Sequence, residues 1–442
     1  MSRDLDAIVI GSSIRGLVSA YLLDRLGHRT LVLERGSQPG GADGSFRTPG
    51  GALFDTGFHV LDHMRSPLTT RLFTHVLDGE VNRMELRRGI VLRGQLLPYA
   101  PLPGEMPGEL RELLAGEELV DEVGDEEPTR ERLAASYGRG YADLVLDEVL
   151  PSFPAEHRHR EFGVEESRLL TNVYPWFFPR AEQAAASRDE SRAFHDRLRG
   201  GVTQEILYPK RGGFGGFAAG FIEKLAQGGT EVRTGVGEIR VELEPDSQRV
   251  AAVQAGGERL RAERYFWAQG WPALCDLLDL PCQDVATDRV ALGSFRLDRA
   301  PVSEFQEILV GDPRFLINRV AFPDQLRGTE ENLMQVEFAY PARAEGLELE
   351  ADGWRERWLE AARAIGIVDD SHRVEEFDLK SIQLHFNAFG AEGEPLRDAD
   401  PSLVDPAGNL HPIAPSMANL NLNRYVPRAV RQVAEILSAA GT

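Results

Sequence analysis

Residues 6 to 34 admit few folds. Asp6 to Ile10 form a short apolar run, the pattern of a strand covered on both faces. Gly11-Ser12-Ser13-Ile14-Arg15-Gly16 follows, and then Leu17 to Leu26 place Leu17, Ala20, Tyr21 and Leu23 mostly on one side of a helix. Gly27 stands where a glycine terminates such a helix. Thr30 to Leu33 read as a second strand, and Glu34 closes it, 18 residues past Gly16. Each part has a chemical use. Gly11 permits a tight turn, Gly16 lets the helix approach the sheet, and the helix N-terminus offers N–H groups and a positive dipole end to a pyrophosphate. Glu34 can accept hydrogen bonds from ribose hydroxyls. Ser13 occupies the place of the middle glycine, but its side chain is small, so the backbone of Ser12 and Ser13 can still approach phosphates. The bland alternative is an ordinary βαβ unit with a chance glycine turn. The whole unit is in register, which favours a dinucleotide site.

Composition narrows the partners. With 70 acidic and 49 basic residues the formal charge is -21, a field that repels nucleic-acid phosphates and anionic lipid surfaces. The chain of 442 residues is too long for one simple core, so two or three lobes are expected. Cys275 and Cys282 offer neither a disulfide framework nor a zinc pattern, which fits a reducing cytoplasm and no metal. The opening Met-Ser-Arg-Asp-Leu-Asp has no signal-peptide organisation, and no apolar run is long enough to span a bilayer. The expected partner is a small molecule. The acidic stretch from Glu117 to Glu131 reads as a solvated loop.

Downstream segments separate one dinucleotide from another. Glu34-Arg35 precedes the pair Gly40-Gly41, and Phe54-Asp55-Thr56-Gly57-Phe58-His59 follows Gly50-Gly51. The run from Gly11 through His59 resembles the amine oxidase and protoporphyrinogen oxidase superfamily of flavoproteins. That superfamily carries an ERxxxxGG-type extension and a D-x-G segment, both contacting FAD. The resemblance implies non-covalent FAD, since neither cysteine sits in an attachment context. It assigns Gly11, Ser12, Ser13, Gly16, Glu34, Arg35, Gly41 and Gly57 to the cofactor. Arg47 becomes a displaced candidate for the arginine that relatives carry soon after the glycine pair. Arg130 to Phe153 resembles the helical insertion of these proteins. Tyr208 to Phe214 resembles their YPxGG segment, ahead of a helix from about Gly216 to Leu225. Beyond it, Val232 or Val236 matches the residue beside the adenine, with Val236 the preferred assignment.

Phe315 to Pro323 and Glu337 to Pro341 resemble the UDP-galactopyranose mutase branch, where a strand arginine reaches a substrate diphosphate. Arg319 is the matching position, with a surface arginine on an edge strand as the alternative. An arginine fork suits phosphate oxygens, so an anionic substrate is one expectation. Near the C-terminus, Arg424-Tyr425 matches a mutase-like pair, whereas Ala418-Asn419 and Pro427-Arg428-Ala429 depart from the flanking Gly-Arg and acidic triplet. Tyr340, Tyr425 and His63 join Arg319 as substrate-side candidates. His59 is the catalytic candidate, because relatives place a histidine in this register beside the flavin ring; a histidine hydrogen-bonded in the core is the alternative. The aromatic cluster Asn172 to Arg180 is either a pocket wall or insertion core.

Together these readings imply an α/β protein: a Rossmann-like three-layer FAD-binding domain with a substrate domain made of a helical insertion and an antiparallel sheet. Residues 1–75, 206–285 and 400–442 would form the FAD domain, 76–205 the insertion and 286–399 the substrate sheet. The leading activity is an FAD-dependent, amine oxidase-like oxidoreductase that moves hydride from a small organic substrate to flavin N5. A redox-neutral mutase acting on a nucleotide sugar is the alternative, and a flavin-bound scaffold without turnover is the third reading.

Overall fold

A computed structural model describes residues 5–62, 66–99, 108–114, 130–131, 134, 139–149, 152, 205–283, 288–341, 350–384, 399–415 and 422–439. The opening unit folds as its sequence dictates. The strand Leu5–Ile10, the helix Ile14–Arg25 and the strand Thr30–Leu33 form a right-ordered start to a five-stranded parallel sheet. From one edge to the other, its strands are Glu231–Arg233, Thr30–Leu33, Leu5–Ile10, Ala262–Trp267 and Leu410–Pro412. Central parallel strands are covered on both faces, which is why Ala7 to Ile10 read as unbroken apolar sequence.

Alternation along that strand assigns the two faces. Ala7 and Val9 pack with Leu17, Phe217, Phe221, Val426 and Val433, residues of the three helices Ile14–Arg25, Gly216–Gly228 and Leu422–Ala439. Ile8 and Ile10 face the other way, with Leu31, Leu33, Val250 and Val253, against the antiparallel sheet of Arg240–Leu243, Val250–Ala255 and Glu258–Leu260. Three layers result: helices, parallel sheet, antiparallel sheet. Gly16 is indispensable here, because a Cβ at this position would lie 2.2 Å from the Gly11 carbonyl oxygen and 2.9 Å from Ala268 Cβ.

The second lobe is a seven-stranded sheet in the order Val374–Leu384, Asp288–Leu297, Leu333–Pro341, Arg319–Ala321, Glu307–Gly311, Arg88–Leu92 and Gln95–Pro98. Every pairing is antiparallel except Glu307–Gly311 with Arg88–Leu92. The helix Ala351–Ala364 covers this sheet with Trp354 and Trp358, and Trp358 Nε1 donates to Leu316 O at 2.9 Å.

Two elements differ from the sequence reading. Residues 81–98 fall within the expected helical insertion but are extended. Val81–Glu85 joins Leu61–Asp62 and Glu205–Pro209 in a small sheet, and residues 88–98 form a hairpin at the edge of the seven-stranded sheet. Its two-residue turn, Arg93-Gly94, has φ of 49° and 75°, the left-handed pair that matches strand twist. The C-terminal helix begins at Leu422, not near Pro427, and carries Pro427 inside it. Burial of Leu422 and Val426 in the core offsets the one backbone hydrogen bond that proline removes. Of the insertion, the described residues include helical turns at Gly108–Leu114, Arg139–Asp143 and Leu144–Val149. The aromatic cluster at 172–180 and His63 lie outside the described residues.

Candidate functional site

The turn after the first strand is built to receive an anion. Gly11 adopts φ +104°, a conformation that favours glycine. Ser13 is the N-cap of the helix, yet its hydroxyl does not cap; it donates to Ala268 O at 3.0 Å. The first-turn N–H groups therefore have no side-chain partner of this kind, which suits a phosphate. Ser12 donates to Glu34 Oε2 from both N (2.9 Å) and Oγ (2.7 Å), and Gly36 N donates to Oε1 at 2.8 Å. The second glycine pair closes over this turn: Gly40 N donates to Ser12 O at 2.9 Å, and a Cβ on Gly41 (φ +62°) would lie 3.6 Å from Ser13 Cβ. Val236 N donates to Glu34 O at 3.2 Å. Gly11, Ser12, Ser13, Gly16, Glu34, Gly41 and Val236 thus gather at the C-terminal edge of the parallel sheet, where open α/β sheets bind ligands. Arg35 and Arg47 are exposed, and Arg47 Nη1 donates to Gly51 O at 2.7 Å.

Two further groups at this edge, Arg15 and Asp43, were not singled out from the sequence. Arg15 donates to Ala268 O (Nε, 3.1 Å), Ala414 O (Nη1, 3.1 Å) and Gln269 O (Nη2, 2.8 Å). Asp43 accepts from Tyr425 Oη at 2.7 Å, joining the glycine-pair turn to the C-terminal helix. Burial raises the Asp43 carboxyl above its ordinary range, against the opposing pull of His59, Tyr425 and Arg15. Burial, then the Asp43 charge, pushes the Tyr425 phenol well up. Tyr425, expected on the substrate side, is bonded to the Gly41–Asp43 turn that follows the glycine pair. The available sequence signal was a charged residue inside the glycine motif and an acid just behind the glycine pair.

The D-x-G segment lies where the two lobes meet. Asp55 is buried and accepts from Ser45 Oγ (2.6 Å), Phe214 N (2.8 Å) and Tyr208 Oη. Burial raises its carboxyl, and these hydrogen bonds oppose that rise. Gly57 has φ +106°. His59 is half-buried; its ring stacks on Phe214 at 5.4 Å and its Nε2 lies 3.2 Å from Thr56 O. Two side chains of one strand hold this loop from the other lobe: Gln335 Nε2 donates to Asp55 O at 2.7 Å, and Glu337 accepts from Phe58 N.

Arg319 lies at the same junction, its guanidinium 5.6 Å from the Phe58 ring. It pairs with Glu307 at 2.7 Å and Glu337 at 3.3 Å, and Glu307, 1% exposed, also pairs with Arg88. Two arginines and two carboxylates therefore share one half-buried cluster. Arg314, in contrast, is exposed and pairs with Asp312. Tyr340 is buried in the sheet core, stacked on Phe338 at 5.7 Å. Among the described residues, no helix is long and apolar enough to cross a membrane.

A parallel sheet with helices on one face and an antiparallel sheet on the other, joined to a large, mainly antiparallel sheet, is an architecture found among flavoenzymes, and known proteins fall beside it. Residues 9–76 match the NAD(P)-binding Rossmann-like domain family. All-trans-retinol 13,14-reductase of Rattus norvegicus is 49% identical over 189 residues, 39% of this chain and 27% of that protein. The chloroplastic prolycopene isomerase of Daucus carota is 40% identical over 85 residues, 19% of this chain and 14% of that protein. The matched part thus spans about a quarter or less of these relatives. Among solved structures, an Exiguobacterium protein assigned as a protoporphyrinogen oxidase superposes with a TM-score of 0.67 at 15% identity, covering 99% of each chain. Putrescine oxidase bound to putrescine gives 0.61 at 14% identity, covering 99% of each chain. Reduced UDP-galactopyranose mutase gives 0.58 at 15% identity, covering 86% of this chain and 82% of that one. The chain has the fold of the FAD-binding amine oxidase and protoporphyrinogen oxidase superfamily, which also houses UDP-galactopyranose mutase.

Proposed function

We propose that this chain is an FAD-dependent oxidoreductase that takes hydride from a C–H bond of a small organic substrate. The carrying observation is Glu34, held by Ser12 and Gly36 at the C-terminal edge of the parallel sheet beside an uncapped helix N-terminus. Glu34 would accept from the ribose hydroxyls, Val236 would lie beside the adenine, and the N–H groups from Ser13 onward would take the pyrophosphate. The residues present fit FAD bound without a covalent link. When bound, FAD supplies a two-electron acceptor that no side chain offers.

The protein's own groups do the rest. Asp55 fixes the Ser45, Tyr208 and Phe214 segments around the D-x-G loop, and Gln335 and Glu337 fix that loop against the substrate sheet. His59, stacked on Phe214, is the proposed proton-handling group; with Nε2–H donated to Thr56 O, its Nδ1 is the acceptor. The names of the matched relatives favour a polyene such as retinol or prolycopene as the substrate class. The nucleotide-sugar mutase reading needs Arg319 open to a diphosphate, and its pairing with Glu307 and Glu337 weighs against that.

The test is anaerobic titration of the purified yellow protein with a retinoid, a carotene, an amine panel and UDP-galactopyranose. Loss of the oxidised-flavin absorbance with a polyene or amine is the expected result; return of that absorbance when a retinoid is added to the dithionite-reduced protein would instead mean that hydride moves from flavin to the polyene, and would overturn the stated direction. Turnover of the UDP-sugar alone, and only after dithionite reduction, would overturn the oxidoreductase reading in favour of the mutase.

A further inference from the structure

We propose that Arg15 is a built-in cation of the pyrophosphate site. The inference rests on the FAD reading above. Arg15 is the second residue of the helix Ile14–Arg25, at the end where the helix dipole is positive. Three of its N–H groups go to the carbonyls of Ala268, Gln269 and Ala414. A guanidinium has five such donors. The three carbonyls lie in the loops that leave Ala262–Trp267 and Leu410–Pro412, the two strands following Leu5–Ile10 across the sheet. The side chain therefore spans the C-terminal edge of the parallel sheet.

Backbone geometry supports a ligand-directed role. Ala414 has φ +42°, a left-handed conformation that a non-glycine residue adopts at a cost. Arg15 holds its carbonyl, and Gln432 Oε1 accepts its N–H at 2.6 Å. One arginine thus fixes a strained turn over the edge where a phosphate would sit.

Charge gives the reason. A pyrophosphate brings two negative charges, and a helix N-terminus offers about half a positive one. Arg35 and Arg47 are exposed, the latter bonded to Gly51, and Ala418-Asn419 stand where mutase-like relatives have Gly-Arg. Asp43, the acid whose charge acts on Arg15, is engaged by Tyr425. In a protein of charge -21, Arg15 is a cation held at this turn by its bond to Ala268 O.

The test uses flavin-stripped full-length protein and measures dissociation constants for FAD, ADP-ribose and adenosine at low and high salt. Arg15→Gln is expected to weaken FAD and ADP-ribose alike, by about tenfold to a hundredfold, the loss of one charge-assisted contact. Adenosine, which lacks phosphate, should change less than about twofold by the same reasoning. Arg15→Lys should keep the salt dependence and recover part of the affinity. Ala414→Gly relieves the positive φ, so it should restore the melting temperature of Arg15→Gln but not its affinity. Recovery of FAD affinity in that double variant would make Arg15 a backbone strut and overturn the proposal. So would FAD binding by Arg15→Gln at wild-type strength. A wild-type protein that binds neither FAD nor ADP-ribose would instead bring down the dinucleotide reading itself.

Discussion

Replacing Gly16 by alanine tests whether the helix–sheet contact at the nucleotide turn is as close as the geometry shows. In an open helix, Gly→Ala stabilises by about 1 kcal/mol through backbone entropy. Here the added Cβ would lie 2.2 Å from Gly11 O and 2.9 Å from Ala268 Cβ. Ordinary contact begins near 3.4 Å, so the helix must retreat by roughly 1 Å. The first obstacle is a main-chain oxygen of the turn itself, and it cannot rotate aside. Overpacking of this kind costs about 1–3 kcal/mol, and a rigid backbone neighbour places it at the upper end. The clash outweighs the propensity gain, leaving a net loss of about 2 kcal/mol. The retreat also carries the first-turn N–H groups away from the Gly11–Ser13 turn, so FAD occupancy should fall with stability. Thermal melts of the stripped protein and the flavin-to-protein ratio after purification read the two effects separately. A Gly16→Ala protein that melts higher than wild type and keeps full FAD would refute the close-contact argument.

Arg319→Ala should destabilise the protein by about 1–3 kcal/mol, because Glu307 and Glu337 lose a shared charged partner while keeping Arg88 and Phe58 N; denaturant melts would show it, and no measurable loss would mean the cluster is solvated. Gly213→Ala should strip flavin, since its Cβ would lie 2.4 Å from Asp55 Oδ1 and 2.5 Å from Ser45 Oγ; the absorbance ratio of purified protein checks this. His411, beside Phe266, has its pKa lowered to about 4 by burial and by Arg264. The unfolded chain therefore binds the proton first, so stability falls as pH drops from about 6.5 towards 4, by about 2–3 kcal/mol in total. His411→Gln should flatten the melting temperature across that window, and an unchanged slope would rule the residue out. Asp43, raised by burial, has the opposite sign: Asp43→Asn should stabilise more above the ordinary carboxylate range than below it, as melts at pH 8 and pH 4 would reveal.

Much of the proposed nucleotide site could be read in one dimension because it is local. The strand, the glycine turn, the helix and Glu34 lie within 30 residues, and period and turn chemistry act over that distance. The same holds for the glycine pair at Gly40-Gly41 and for the helix that Gly229 ends at φ +93°. The sequence also determined the identity of every chemical group at the lobe junction, including His59, Asp55 and Arg319. Their partners were a different matter. Arg88–Leu92 pairs with Glu307–Gly311, and the apolar run RGIVL carries no mark of a partner more than 200 residues away. Arg319 reads as an open fork until Glu307 and Glu337 are folded against it. Arg15 is only one position of the glycine turn in the sequence, until Ala268, Gln269 and Ala414 arrive from distant strands. Tyr425 gains its meaning from Asp43, 382 positions earlier. Propensity and spacing fix what a segment is. Charge pairing and hydrogen bonding between segments exist only once the sheets have closed, so only the tertiary structure decided which charges are offset and which face a ligand.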